Sequence, residues 1–303
     1  MNPSDRYSAR VDLSPSLSPW IRHSSVLAGH DRLRTPRSAQ PARSGLDVEL
    51  SERDIGVLHS VRLLRLMQAD QLQRLHFTEH ATDAAGKRIC RRVLQRLHER
   101  GMLHRLQRRI GGIRAGSTGH VYALAPKGHR LLSGRSSRRR NHEPSTGFVR
   151  HTLAIAELAT RLLETAHTGA VEVLELATEP WCWRHPEGTR VRTAASAVLK
   201  PDLHVVLAND ESELHWFVEV DLGTEAPSTL ARKCRTYTDY FRSGHEQART
   251  GIFPKVLFVA PDDERRHQIE RSIGRGGIES ALFEVAIDAD ALDVLIGQSG
   301  GTS

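Results

Sequence analysis

An apolar run, Leu214-His215-Trp216-Phe217-Val218, ends in Glu219-Val220-Asp221, and one strand upstream stands Pro201-Asp202. Residues two apart in a β-strand face the same side, so Glu219 and Asp221 share one face while Trp216, Val218 and Val220 pack on the other. Asp202, on the preceding strand, falls beside them. Three carboxylates converging at the edge of a sheet repel one another unless a cation neutralises them. The fold must therefore supply such a cation.

Around these acids the chain alternates. A helical pattern over HTLAIAELATRLLETA is followed by strand patterns in VEVLEL, SAVLKPDLHVVLA and LHWFVEVDL, then a helix in APSTLARKCRTYTDYFRSG. KVLFVAP reads as a strand, DDERRHQIERSIGR as a helix and LFEVAI as a last strand. This order belongs to an α/β sandwich with a mixed central sheet, within the broader α/β (α+β) class.

The first half reads differently. Ser51 is a helix N-cap, acids follow in the first turn, and Ile55, Leu58, Leu63 and Leu66 recur at helical spacing. ADQLQRLHF predicts a second helix with Leu72 and Leu75 inward. DAAGKRICRRVLQRLHERG predicts a third that closes at Gly101. Two strands follow, at residues 102–107 and 120–125, separated by a glycine-rich loop. Three helices and then two strands is the order of a winged helix-turn-helix.

Composition sets the boundaries. Residues 1–46, rich in Ser, Pro and Arg without a sustained period, read as a disordered basic arm. Residues 47–132 form the winged helix-turn-helix unit, the polar stretch 133–147 with Pro144 a linker, 148–296 the α/β unit, and 297–303 a flexible tail.

On the third helix Ile89, Cys90, Val93, Leu94 and Leu97 fall within one arc, and Lys87, Arg88, Arg91, Arg92 and Arg96 occupy the other half. Nine Lys and Arg residues lie between Lys87 and Arg109 against one acid, Glu99. The cluster runs on through Arg108, Arg109 and Arg114 into the loop between the strands. A recognition helix needs one apolar face for the core and one cationic face for the major groove and its phosphates. A solvated helix face would carry similar charge, but here the charge falls on the third helix of a winged order and acids are nearly absent. Double-stranded DNA is the expected partner.

The whole chain has 43 Lys and Arg against 36 Asp and Glu, a net charge of +7 and an isoelectric point near 9.8. That balance favours polyanions. Cys90, Cys182 and Cys234 lie far apart without a C-x-x-C pair, which argues against a disulfide framework or zinc ribbon and for a reducing compartment. Neither a signal peptide nor a membrane-spanning run is legible, so the expected location is the cytoplasm, with the nucleoid or a plasmid. Winged-helix proteins often pair on palindromes, and a homodimer is an open expectation.

For the acids, all-oxygen ligands suit Mg²⁺ or Mn²⁺, with water activation and stabilisation of a pentacovalent phosphate as the chemistry. Each has a plainer reading: Pro-Asp is a common turn dipeptide, although Glu219 and Asp221 end a strand otherwise made of Trp, Phe and Val. On the following helix Leu230, Cys234, Tyr237 and Phe241 form a buried stripe, and Lys233 lies at its margin. Lys233 either bends toward the acids or snorkels from the core edge.

Pro201-Asp202 with Glu219-Val220-Asp221 resembles the PD-(D/E)XK nuclease superfamily. The run EVDLGTE, the following helix KCRTYTDYFRSG, the preceding RHTLAIAEL and the winged helix-turn-helix together resemble the replication-relaxation family of Gram-positive plasmids and mobile elements, over roughly residues 48 to 290. The resemblance implies a PD-(D/E)XK nuclease-like sandwich, with Asp202 and Glu219 as ligands of Mg²⁺ or Mn²⁺ and Glu157 as a further acid or a surface charge. It also implies work on plasmid DNA: replication and relaxation, with nicking. In the active pattern a lysine stands where this chain has Asp221, and superfamily members can move that lysine to the next helix, where Lys233 lies. Two outcomes stay open, a metal-dependent endodeoxyribonuclease or a nuclease-fold regulator without cleavage.

Other patterns were weaker. The seventeen histidines form no zinc motif, and no phosphate-binding glycine loop or phosphotyrosine relaxase set is present. Trp181 and Trp183 flank Cys182, and read as a strand-edge core cluster with a base-stacking platform as the alternative.

Overall fold

The computed structural model of the chain describes residues 50–107, 119–134, 144–185, 198–275 and 277–298. The expected basic arm, most of the expected linker, and Arg108, Arg109 and Arg114 lie outside them.

Helix α1 (Glu52–Leu64) starts on a capping box: the Ser51 hydroxyl accepts from the Asp54 amide at 3.2 Å while Asp54 accepts from the Ser51 amide at 2.9 Å. The inward residues are Val57, Leu58, Val61 and Leu64, all fully or nearly buried. This corrects the expected stripe through Ile55, Leu63 and Leu66. The helix stops because Arg65 takes a positive φ of 67°, which sends Leu66–Gln68 into strand β1. Helix α2 (Ala69–His76) buries Leu72 and Leu75, as its spacing predicts. Helix α3 (Asp83–Glu99) is capped by Thr82 and buries Cys90, Leu94 and Leu97.

Strands β2 (Leu103–Arg105) and β3 (Val121–Leu124) complete an antiparallel sheet in the order β1-β3-β2. Helix α4 (Pro126–Ser133) follows, opened by a proline in its first turn. Gly128 lies so close to the Met102 carbonyl that an added Cβ would sit 2.4 Å away; only glycine fits there.

Helix α5 (Thr146–His167) is the spine of the molecule. It begins five residues before the apolar pattern, on a Ser145 cap. One side buries Ile155, Ala156, Leu158, Ala159 and Leu162 in a core shared with the second sheet; near its start, Val149 and Leu153 pack with Leu66, Leu106 and Val121 of the first. A single helix thus fastens both halves.

The second sheet is mixed and five-stranded, in the order β4 (Glu172–Thr178), β5 (Leu203–Ala208), β6 (Glu213–Val220), β7 (Lys255–Ala260), β8 (Phe283–Ile287). The first two pairings are antiparallel and the last two parallel. Alternation along β6 and β7 sorts side chains into two cores. Trp216, Val218, Val220, Leu257 and Val259 join α5 and the short α9 (Ala291–Leu295) on one face. Phe217, Val256, Phe258 and Ala260 join α6 (Pro227–Ser243) and α8 (Asp263–Ile273) on the other. Each fully buried Leu or Phe contributes about 1.5–3 kcal/mol relative to exposure. The short helix α7 (His245–Thr250) follows α6 across Gly244. No helix among the described residues is long and apolar enough to cross a membrane.

Candidate functional site

The site lies where β6 runs out and β5 begins. The β5–β6 register ends at Leu203 with Val218, and just before it the Asp202 amide donates to the Val218 carbonyl at 3.0 Å. The two carboxylates are close enough for the Asp202 charge to raise the Glu219 pKa. Both residues are buried, Glu219 at 2% exposure and Asp202 at 6%.

Each acid has its own donors. The Val220 amide donates to Asp202 Oδ2 at 2.8 Å, and His151 Nε2 lies 3.3 Å from the same oxygen. His151 Nε2 also sits 2.9 Å from the Val220 carbonyl. Both partners are acceptors, so this nitrogen carries the proton, and the bond to Asp202 raises the imidazole pKa. Glu219 accepts from the Tyr237 hydroxyl at 2.6 Å through Oε1 and from Lys233 Nζ at 3.0 Å through Oε2. Burial, opposed by Lys233 and assisted by the nearby Asp202 charge, pushes the Glu219 carboxyl up to about 7. Burial works against the Lys233 charge as well, but Glu219, Glu225 and Asp202 outweigh it and its pKa rises. Lys233 therefore bends toward the acids, with a second contact to Glu225 at 3.2 Å.

Asp221 shares the Glu219 face, on the same side as α6 and α8, but it is occupied. Arg265 of α8 grips it with Nε to Oδ1 at 3.0 Å and Nη2 to Oδ2 at 2.7 Å, and the Gly223 amide donates to Oδ1. The same guanidinium donates to the Glu225 carbonyl at 2.7 Å. The expectation that Asp221 joins a three-acid metal site is thus corrected: a fork-shaped cation has already satisfied both of its oxygens.

Glu157 makes its contacts elsewhere. Its side chain turns to α2, where Arg74 Nη1 reaches Oε1 at 2.7 Å and Gln71 Nε2 reaches Oε2 at 3.0 Å. Arg74 also binds Glu164 through Nε at 2.8 Å. Glu157 belongs to the seam between the two halves.

On α3, Lys87, Arg88, Arg91 and Arg92 are exposed. Lys87 pairs with Asp83 one turn earlier at 2.7 Å. Arg96 leaves the row, because its Nη2 sits 2.5 Å from Asp54, which is 1% exposed. The buried carboxylate that caps α1 recruits this arginine.

The residues the sequence did not single out are His151, Tyr237 as a donor, Glu225 and Arg265. His151 opens the expected α5 pattern and Tyr237 sits in the expected apolar stripe, so both were visible only as helix positions. Nothing in the sequence distinguishes the buried Arg265 from Arg266 beside it.

Among the described residues no group of three or more His, Cys, Asp or Glu side chains is arranged to hold a metal ion. Of the three expected acids Asp202 and Glu219 remain, with the Glu219 oxygens held by Tyr237 and Lys233.

The sequence model of the replication-relaxation family matches residues 58–256, a span from α1 into β7 that includes every residue of the acid cluster except Arg265. No curated protein matches the sequence. Among solved structures, the restriction endonuclease FokI aligns with 86% of this chain and 74% of its own at 10% identity, with a TM-score of 0.24. That score is too low for a shared fold to be inferred.

Proposed function

This chain belongs to the replication-relaxation family, and on that premise we propose that it is a DNA-binding protein of a plasmid or mobile element that nicks DNA with Mg²⁺ or Mn²⁺. In this reading α1 to α3 and the β1-β3-β2 sheet are a winged helix-turn-helix, with α3 as the groove-reading element. The five-stranded half is a PD-(D/E)XK-like nuclease core, and the protein works in the cytoplasm on its own replicon.

The observation that carries the reading is that Asp202 is bonded to the Val220 amide, the residue next to Glu219, and that Glu219 carries an ammonium, Lys233. A divalent cation bound there supplies an activated water and charge stabilisation at the phosphate. Tyr237 fixes the Glu219 carboxylate, and His151 fixes Asp202 together with the Val220 carbonyl. Lys233 takes the place of the lysine that the superfamily pattern puts at position 221. Its side chain is 30% exposed, enough to meet a phosphate oxygen or orient a water. Arg265 ties Asp221 and Glu225 into one loop wall.

One observation favours a second reading, a regulator or initiator without cleavage: the residue in the lysine slot is Asp221, and it is locked to Arg265. Incubation with supercoiled plasmid and Mg²⁺ or Mn²⁺ separates the two. Metal-dependent nicking that disappears in Asp202→Ala and Glu219→Ala supports the nuclease; plasmid binding with no nicking under either ion supports the regulator.

A further inference from the structure

The turn that follows β4 carries a feature that the acid cluster does not use. Trp181 is 42% exposed, whereas its neighbour Cys182 is completely buried. The expected core cluster of the two tryptophans therefore does not form around Trp181. The turn is held firmly from behind. Cys182 Sγ lies 2.9 Å from the Pro201 carbonyl, Arg184 Nη1 donates to the Cys182 carbonyl at 2.9 Å, and the Trp183 amide donates to the Pro180 carbonyl at 3.2 Å. An exposed indole on a fixed turn costs little entropy to present.

Its surroundings are cationic and aromatic. Lys200, which immediately precedes Pro201-Asp202, places Nζ 4.4 Å from the centre of the Trp183 ring. Two residues before Trp181, Glu179 receives Arg65 at 2.9 Å, and the Arg65 guanidinium lies 4.9 Å from the centre of the exposed Phe148 ring. Phe148 stands one helical turn before His151, which touches Asp202. Along the chain the two cations thus bracket Trp181, Arg65 through Glu179 and Lys200 through Trp183, and Lys200 stands two residues before Asp202. Flat rings between cations suit one class of polymer, a strand whose phosphates meet the cations and whose bases are free to stack.

We propose that Trp181, flanked by Arg65 with Phe148 and by Lys200 with Trp183, is a stacking platform that holds an unpaired segment of a DNA strand and leads it to the Asp202–Glu219 edge. A base inside a duplex has no free face for the indole, so the platform selects melted or single-stranded DNA. This rests on the reading of the chain as a DNA-processing protein and adds the form of DNA that reaches the site.

The test uses the full chain, a fluorescein-labelled oligodeoxythymidylate and a duplex of the same length. In the wild type, the single strand is expected to quench tryptophan fluorescence and to bind with an affinity that Trp181→Ala lowers on the order of ten-fold or more. Trp181→Phe, which keeps a ring, should retain most of that affinity, and duplex binding should not change. Equal single-strand affinity in wild type and Trp181→Ala overturns the proposal, as does an equal loss of duplex affinity. Plasmid nicking is scored separately. Nicking without a Trp181 effect removes the platform and keeps the nuclease, whereas a Trp181 effect without nicking keeps the platform and removes the nuclease.

Discussion

Arg265 and Asp221 form a buried two-point ion pair across the α6–α8 side of the sheet, with side-chain exposures of 6% and 4%. The pair is what removes Asp221 from the acid cluster, because a bidentate guanidinium satisfies both carboxylate oxygens.

Breaking that pair leaves a charge uncompensated in the interior, which costs about 3–5 kcal/mol. Arg265→Ala is therefore expected to lower the unfolding free energy, measured by urea denaturation, by that amount. Asp221→Ala should likewise act on stability, and Mn²⁺ titration calorimetry on folded protein should show binding retained in Asp221→Ala and lost in Asp202→Ala. Loss of binding in both would put Asp221 back among the ligands.

Glu219 gives a pH dependence with a definite sign. Burial raises its pKa from 4.5 to about 7, so between those values the folded chain binds a proton that the unfolded chain has released. The associated stability is complete below about pH 4.5 and is lost as pH rises through about 7, up to a few kcal/mol. Glu219→Gln should flatten the fall in unfolding free energy measured between about pH 5 and 7.5. An identical slope in the variant would show that other groups cause it.

For α3 the structure divides the arginines. Arg91→Ala with Arg92→Ala should weaken duplex binding and reduce its salt dependence by about two phosphate contacts. Arg96→Ala should instead cost about 1 kcal/mol of stability, because it strips a donor from buried Asp54 while its own side chain is partly solvated. Salt titration of duplex affinity, alongside urea unfolding, distinguishes the two effects.

Glu157 sits in the seam with Arg74, away from the acid cluster. The two side chains are 26% and 36% exposed, so screening limits the pair, and Arg74→Ala is expected to cost about 1–2 kcal/mol. Glu157→Gln should leave plasmid nicking at the wild-type rate. A loss equal to that of Asp202→Ala would place Glu157 in the reaction after all.

Helix and strand types were largely legible. The spacing of Leu72 and Leu75, the cap at Ser51, and the two-residue alternation along β6 are local patterns, and local patterns survive folding. The boundaries set by single backbone angles were not. The stripe drawn through Leu66 ignores the turn at Arg65, and the early start of α5 depends on a cap at Ser145 that precedes any apolar period.

From the residues alone came the alternating order of the second half, the shared face of Glu219 and Asp221, and the division of α3 into an apolar and a cationic side. Each follows from helix or strand geometry within a few residues. Which charges meet was decided only in three dimensions. Lys233 reaches Glu219, Arg265 takes Asp221, Arg74 takes Glu157, and Arg96 takes Asp54, each across 14 to 83 residues of sequence. A buried carboxylate recruits whichever cation the packing of sheets and helices brings within reach, and no local pattern encodes that distance.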